Sequence, residues 1–146
     1  MSDDPAPRPR VAYQVFRAGA TVAAVLAAGQ PVLAGGFLQG HYSMLAAHGN
    51  AALILAAALL VALSGAVLMW RPGRGSGRPA MLCALAFLLC VVQIGLGFTR
   101  ELIIHVPLGV ILVGLVIQIA VLSWRMPLVK RDVAAPRRAA ETAVDA

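Results

Sequence analysis

Four long apolar runs, residues 18–38, 44–70, 80–98 and 102–124, are separated by short polar breaks and leave this 146-residue chain few ways to fold. A bilayer's hydrocarbon core takes about 20 apolar residues as a helix, and each run reaches about that length. Lipid offers the backbone no hydrogen-bond partners, so such runs cross it as helices that satisfy their own N–H and C=O groups. With 60% hydrophobic and 12% charged residues, the chain lies far from a soluble domain, whose apolar share is roughly half. Short connections make consecutive helices antiparallel. The expected architecture is all-α, an integral membrane four-helix up-and-down bundle over residues 18–124. The residues outside it are too few for a water-soluble catalytic or nucleic-acid-binding domain.

The net charge of +6 points to topology before it points to a nucleic acid, because the basic residues are segregated. Arg8, Arg10 and Arg17 precede the first run, Arg71, Arg74 and Arg78 lie between the second and third, and Arg125, Lys130, Arg131, Arg137 and Arg138 follow the fourth. Only Arg100 falls on the other side. The positive-inside rule then places both termini and the middle loop in the cytoplasm of a multi-pass plasma (inner) membrane protein. Affinity for anionic lipid headgroups is a secondary consequence of these clusters. Residues 8–28 also resemble a secretory signal, but the apolar run continues to Leu38, longer than a signal h-region, so the first span is expected to be retained. Residues 1–17 read as a cytoplasmic arm and residues 125–146 as a basic tail, with Pro, Ala and charge that favour disorder at the extremities.

The two halves look like copies of one helix pair. Gln30, Leu33, Gly36-Phe37, a loop, His48, an apolar helix and Trp70-Arg71 recur in order as Gln93, Leu96, Gly97-Phe98, a loop, His105, an apolar helix and Trp124-Arg125. Both copies start on the same side, so they would be parallel repeats about an axis along the membrane normal. Each histidine then lies about one turn, roughly 4 to 6 Å, inside the outer end of its helix. Ionisable groups at membrane depth are costly, which makes this pair the first place to look for chemistry. Were the second and fourth helices diagonal in the bundle, the two imidazoles would face each other across the core, as two axial ligands of a planar cofactor do. One turn deeper stand Ala52 and Gly109, small enough to leave room beside a macrocycle. Gly29, Gly35 and Gly36 on the first run and Gly95 and Gly97 on the third thin the walls at the same level.

This order of Gln, Leu, Gly-Phe, loop and His, twice over in four spans, resembles one four-helix half of the heme A synthase family, over residues 30–124. The resemblance implies a haem b held by His48 and His105 as axial ligands, and hence electron transfer or haem handling with a redox partner. The chain departs from the family in two places near the site: Leu45 stands where the family has a glutamate three residues before the first histidine, and Gly49 follows His48 in place of arginine. The family's second four-helix half has no counterpart in these residues. Without that glutamate, the resemblance implies haem binding without oxidation of the haem methyl group, and a catalytic role is not expected.

Other readings stand beside this one. Both histidines can serve as interhelical hydrogen-bonding groups, in which case the chain is a structural or accessory subunit that packs against a larger membrane partner without a cofactor. Gln30 and Gln93 read as clasps between helices. His41 reads as a solvated loop residue, with a place in reserve as the partner of His105. Arg100 is a candidate partner for a haem propionate. Cys83 and Cys90 lie about 10 Å apart along one helix, too far for a disulfide, and read as packing residues. Pro31 is expected to kink or shorten the first helix, whereas Pro107 sits near a helix start where its missing donor is harmless.

Overall fold

A computed structural model describes residues 10–71 and 76–126. The chain forms four α-helices, α1 Arg10–Leu38, α2 Ser43–Trp70, α3 Arg78–Thr99 and α4 Leu102–Arg125, and no strand among the described residues. All four are long and apolar enough to cross a membrane. Two short turns, residues 39–42 and 100–101, close one end of the bundle. The first needs a glycine, because Gly40 has φ +96°, a region closed to most side chains. Arg74, the arm before Arg10 and the tail beyond Met126 lie outside the described residues.

α1 packs on α2 and α4, and α3 packs on the same two helices, while the backbones of neither diagonal pair approach closely. The two histidine-bearing helices, α2 and α4, therefore face each other across the bundle axis. Side chains facing lipid are apolar, such as Val25, Leu53, Leu88 and Val110. The interior is built largely from small residues. Lipid tails are as apolar as a leucine core, so helix association in a membrane depends on close backbone approach, which small residues permit. The seam between α1 and α2 is the tightest: a Cβ on Gly19 would lie 2.6 Å from the Ala62 nitrogen, and one on Gly65 would lie 2.7 Å from the Ala12 carbonyl.

The repeat visible in the sequence has a structural counterpart. Phe16, Ala20, Ala23 and Ala27 are among the buried positions of α1, and Pro79, Cys83, Ala86 and Cys90 among those of α3; one constant offset relates the two sets and also relates Gln30 to Gln93. A second constant offset carries Leu55, Leu59, Ala62 and Ala66 of α2 onto Leu112, Val116, Ile119 and Ser123 of α4, and His48 onto His105. The tryptophans do not share that register. Trp70 and Trp124 mark helix ends, not equivalent positions.

Two expectations about α1 change. The helix begins at Arg10 and not near Ala18, because Ala12, Tyr13 and Phe16 are buried against the neighbouring helices. Its first two turns therefore belong to the bundle and not to a free arm. It also continues through Pro31 to Leu38 and does not end early. Pro31 is exposed, so its ring meets lipid and no neighbouring helix has to yield to it.

Candidate functional site

The site is built twice, once by each helix pair. In the first, the His48 Nδ1 lies 3.3 Å from the Gln30 carbonyl oxygen, and the Gln30 side-chain Nε2 donates to the His48 carbonyl at 3.4 Å. In the second, the His105 Nδ1 lies 3.1 Å from the Gln93 carbonyl, and Gln93 Nε2 donates to the His105 carbonyl at 2.8 Å. Each histidine and glutamine thus clasp one another reciprocally across two antiparallel helices. The clasps also fix chemistry. A backbone carbonyl can only accept, so each Nδ1 carries a proton, and in the neutral imidazole each Nε2 keeps its lone pair.

The two rings meet on the bundle axis. Their centroids are 6.3 Å apart and their planes are inclined by 55°. Stacked rings would be nearly parallel and closer, so the pair is not held by ring stacking. Both histidines are half-buried. The amide orientation of each glutamine is set by the carbonyl it donates to, which leaves Gln30 Oε1 and Gln93 Oε1 as buried acceptors without a partner.

The small residues near the histidines are explained by direct contacts. A Cβ on Gly97 would come within 3.3 Å of the His105 Cε1, so this glycine lets the imidazole lie against α3. A Cβ on Gly109 would lie 2.7 Å from Gln93 Nε2, so the room above it is taken by the Gln93 side chain. Ala52 occupies the equivalent place on α2, and its carbonyl lies 4.0 Å from the Cys90 Sγ. Around Gly29, Gly35 and Gly95 a Cβ would meet nothing within 4 Å. On α1 and α3, the helices flanking the pair, these positions leave bare backbone.

The remaining candidates lie further out. His41 is exposed in the α1–α2 turn. Arg100 is exposed in the α3–α4 turn, where it caps α3 in a left-handed conformation with φ 60°. Cys83 and Cys90 are free, buried thiols, and no group of three or more His, Cys, Asp or Glu side chains among the described residues gathers to hold a metal ion. The sequence reading did not anticipate a polar cluster at the opposite end, where Tyr13, Arg17, Thr21 and Trp124 interlock α1 with α4. Arg17 and Trp124 had carried only a topological meaning, and the signal that could have joined them, an aromatic and a basic residue one turn apart at Tyr13 and Arg17, is short.

Comparison with protein-family models, curated proteins and solved structures returned no match, so the reading of this site rests on its own geometry.

Proposed function

We propose that this four-helix membrane protein binds a b-type haem between His48 and His105 and uses it for electron transfer or haem handling. The observation that carries the reading is the 6.3 Å between ring centroids together with two free Nε2 lone pairs. With metal–nitrogen bonds of about 2.0 Å, two imidazoles on opposite sides of one metal place their centroids about 6 Å apart. Coaxial ligands share an axis and not a plane, so an inclination of 55° is compatible with such an arrangement. A ligating histidine usually donates its other ring N–H to a carbonyl, which orients the ring and raises its basicity; Gln30 and Gln93 supply that carbonyl here.

When bound, the haem supplies a one-electron couple whose potential is set by its axial ligands and surroundings. The chain's own residues hold the two imidazoles at fixed tautomer and spacing. Ala52 and Gly109 keep the turn below each ligand small, and Arg100, at the same end of the bundle, is the candidate partner for a propionate. The basic residues Arg10, Arg17, Arg71, Arg78 and Arg125 lie toward one end of the bundle and Arg100 toward the other. That asymmetry supports a plasma (inner) membrane protein with both termini in the cytoplasm and the haem near the outer leaflet, where a redox partner would approach.

The clasps themselves favour a second reading, in which the histidines only fasten helix to helix and the bundle is an accessory subunit of a larger membrane complex. One experiment separates the two. Detergent-purified protein, expressed with haem supplied, is scanned oxidised and dithionite-reduced beside His48→Ala and His105→Ala. The haem reading expects sharp reduced bands that disappear in both variants. A colourless wild type refutes it and leaves the accessory role.

A further inference from the structure

We propose that the groove between α1 and α4, at the basic end of the bundle, is a binding site for one anionic phospholipid. The site is far from the histidines and independent of the haem reading. The groove is an open depression lined by Gln14, Arg17, Ala18, Thr21, Val22 and Trp124. At its head, the Arg17 guanidinium lies between two rings, 4.6 Å from the centroid of Tyr13 and 4.3 Å from that of Trp124. Its Nη2 donates to the Tyr13 hydroxyl at 2.5 Å and to the Ser123 carbonyl at 3.4 Å. Its Nε is buried without an acceptor.

This is a permanent positive charge about 10 Å along a membrane helix from Arg10, and none of its contacts carries negative charge. Among the described residues the only carboxylate is Glu101, at the opposite end. Arg17 adjoins the apolar run 18–38, and a charge there is costly unless it is paired or reaches the interface. The groove below it is apolar and opens to lipid: Ala18, Val22 and Trp124 are exposed. A phospholipid supplies what both parts lack, a phosphate for Arg17 and an acyl chain for the groove. Zwitterionic lipids carry the same phosphate beside a cation, which offsets most of the attraction to the Arg17 guanidinium. The ligand class is therefore an anionic glycerophospholipid, in line with the basic pockets between membrane helices that select such headgroups.

The test uses Trp124 as the reporter. In full-length Trp70→Phe protein, Trp124 is the sole tryptophan, and its fluorescence is followed as phosphatidylglycerol or phosphatidylcholine with brominated acyl chains is added to the micelles. The expected result is half-quenching at about fivefold less phosphatidylglycerol, the preference of one basic contact at the membrane surface. Arg17→Gln should bring the ratio to about one, while Arg10→Gln keeps most of it; Arg17→Lys retains the charge and the preference, and serves if the Gln variant does not fold. Equal quenching by the two lipids in the Trp124-only protein would overturn the proposal. So would a folded Arg17→Lys variant with no preference, or reversal of the preference by added inorganic phosphate.

Discussion

Three glycines that look alike in the sequence should respond to one added methyl group in three different ways. At Gly65 a Cβ would lie 2.7 Å from the Ala12 carbonyl and 2.8 Å from the Phe16 Cα, both backbone atoms of α1. Comfortable carbon contacts are about 3.5–4.0 Å, so α1 must retreat by about 1 Å, and a gap of that size forfeits about a quarter to a half of each contact along the seam. Overpacking costs about 1–3 kcal/mol, and obstacles that cannot rotate away put this site near 3. Alanine regains about 1 kcal/mol of helix propensity over glycine. The net expectation for Gly65→Ala is a loss of about 2 kcal/mol. At Gly114 a Cβ would meet nothing within 4 Å, so only the gain of about 1 kcal/mol remains. At Gly109 the obstacle is the end of the Gln93 side chain, which can move, at the loss of its 2.8 Å bond to the His105 carbonyl. Such bonds average about 0.6 kcal/mol in membranes, so Gly109→Ala should be nearly neutral in stability. Reversible unfolding in mixed micelles with increasing SDS, followed by circular dichroism, ranks the three. If Gly65→Ala proved as stable as Gly114→Ala, α1 and α2 would not be in backbone contact and the reasoning would fail.

Other perturbations follow from single contacts. Tyr13→Phe removes the hydroxyl that donates to the Ser123 and Met126 carbonyls and accepts from Arg17; a loss of about 1–2 kcal/mol is expected in the same unfolding assay, and no change would mean the hydroxyl is solvated. Gln93→Leu removes a donor worth about 0.6 kcal/mol but also the unpartnered Oε1, whose burial costs about 1–3 kcal/mol, so the variant should be at least as stable as wild type. A loss above about 2 kcal/mol would show that the oxygen has a partner in the native protein. Cys83 and Cys90 are buried and free; a maleimide should label them slowly in the folded protein and fully in SDS, and rapid labelling of the native form would contradict the packing of α3.

Much of this fold was legible because membrane helices leave their mark on long windows. The four spans and the antiparallel pairing of consecutive helices follow from apolar runs joined by short turns, whereas the diagonal placement of His48 and His105 stood in the sequence only as a condition. Ends were harder to read. Tyr13 and Phe16 extend α1 past its apolar run because they bury against other helices, a tertiary cause that hydropathy does not encode. The glutamines could be read as clasps because a carboxamide at that depth needs a partner, but its identity, the backbone carbonyl of the histidine itself, depends on register between helices. Gly109 shows the same limit from the other side. Its smallness was legible, whereas the side chain that occupies the space above it comes from α3, and no spacing within α4 could name it.

The location of the clasps separates what builds each imidazole from what sets the distance between them. Gln30 holds His48 within the pair α1–α2, and Gln93 holds His105 within α3–α4. Each pair therefore orients its own ring without help from the other. The spacing of 6.3 Å is a property of the seams between pairs, α2 on α3 and α1 on α4. Those seams are fastened one turn from His48, by the Cys90 thiol against the Ala52 carbonyl, and at the opposite end of the bundle, by Trp124 Nε1 on the Thr21 hydroxyl at 3.0 Å and Tyr13 on the end of α4. A repeat of one helix pair brings two equivalent donors to equal depth by symmetry, with no further design at the site. The residues that break the symmetry, Tyr13, Arg17 and Trp124, then act on how closely the two donors approach. On this account Tyr13 and Trp124 influence the approach of the two imidazoles only through the inter-pair seams, and changes at Gln30 or Gln93 act on ring orientation first and on spacing second.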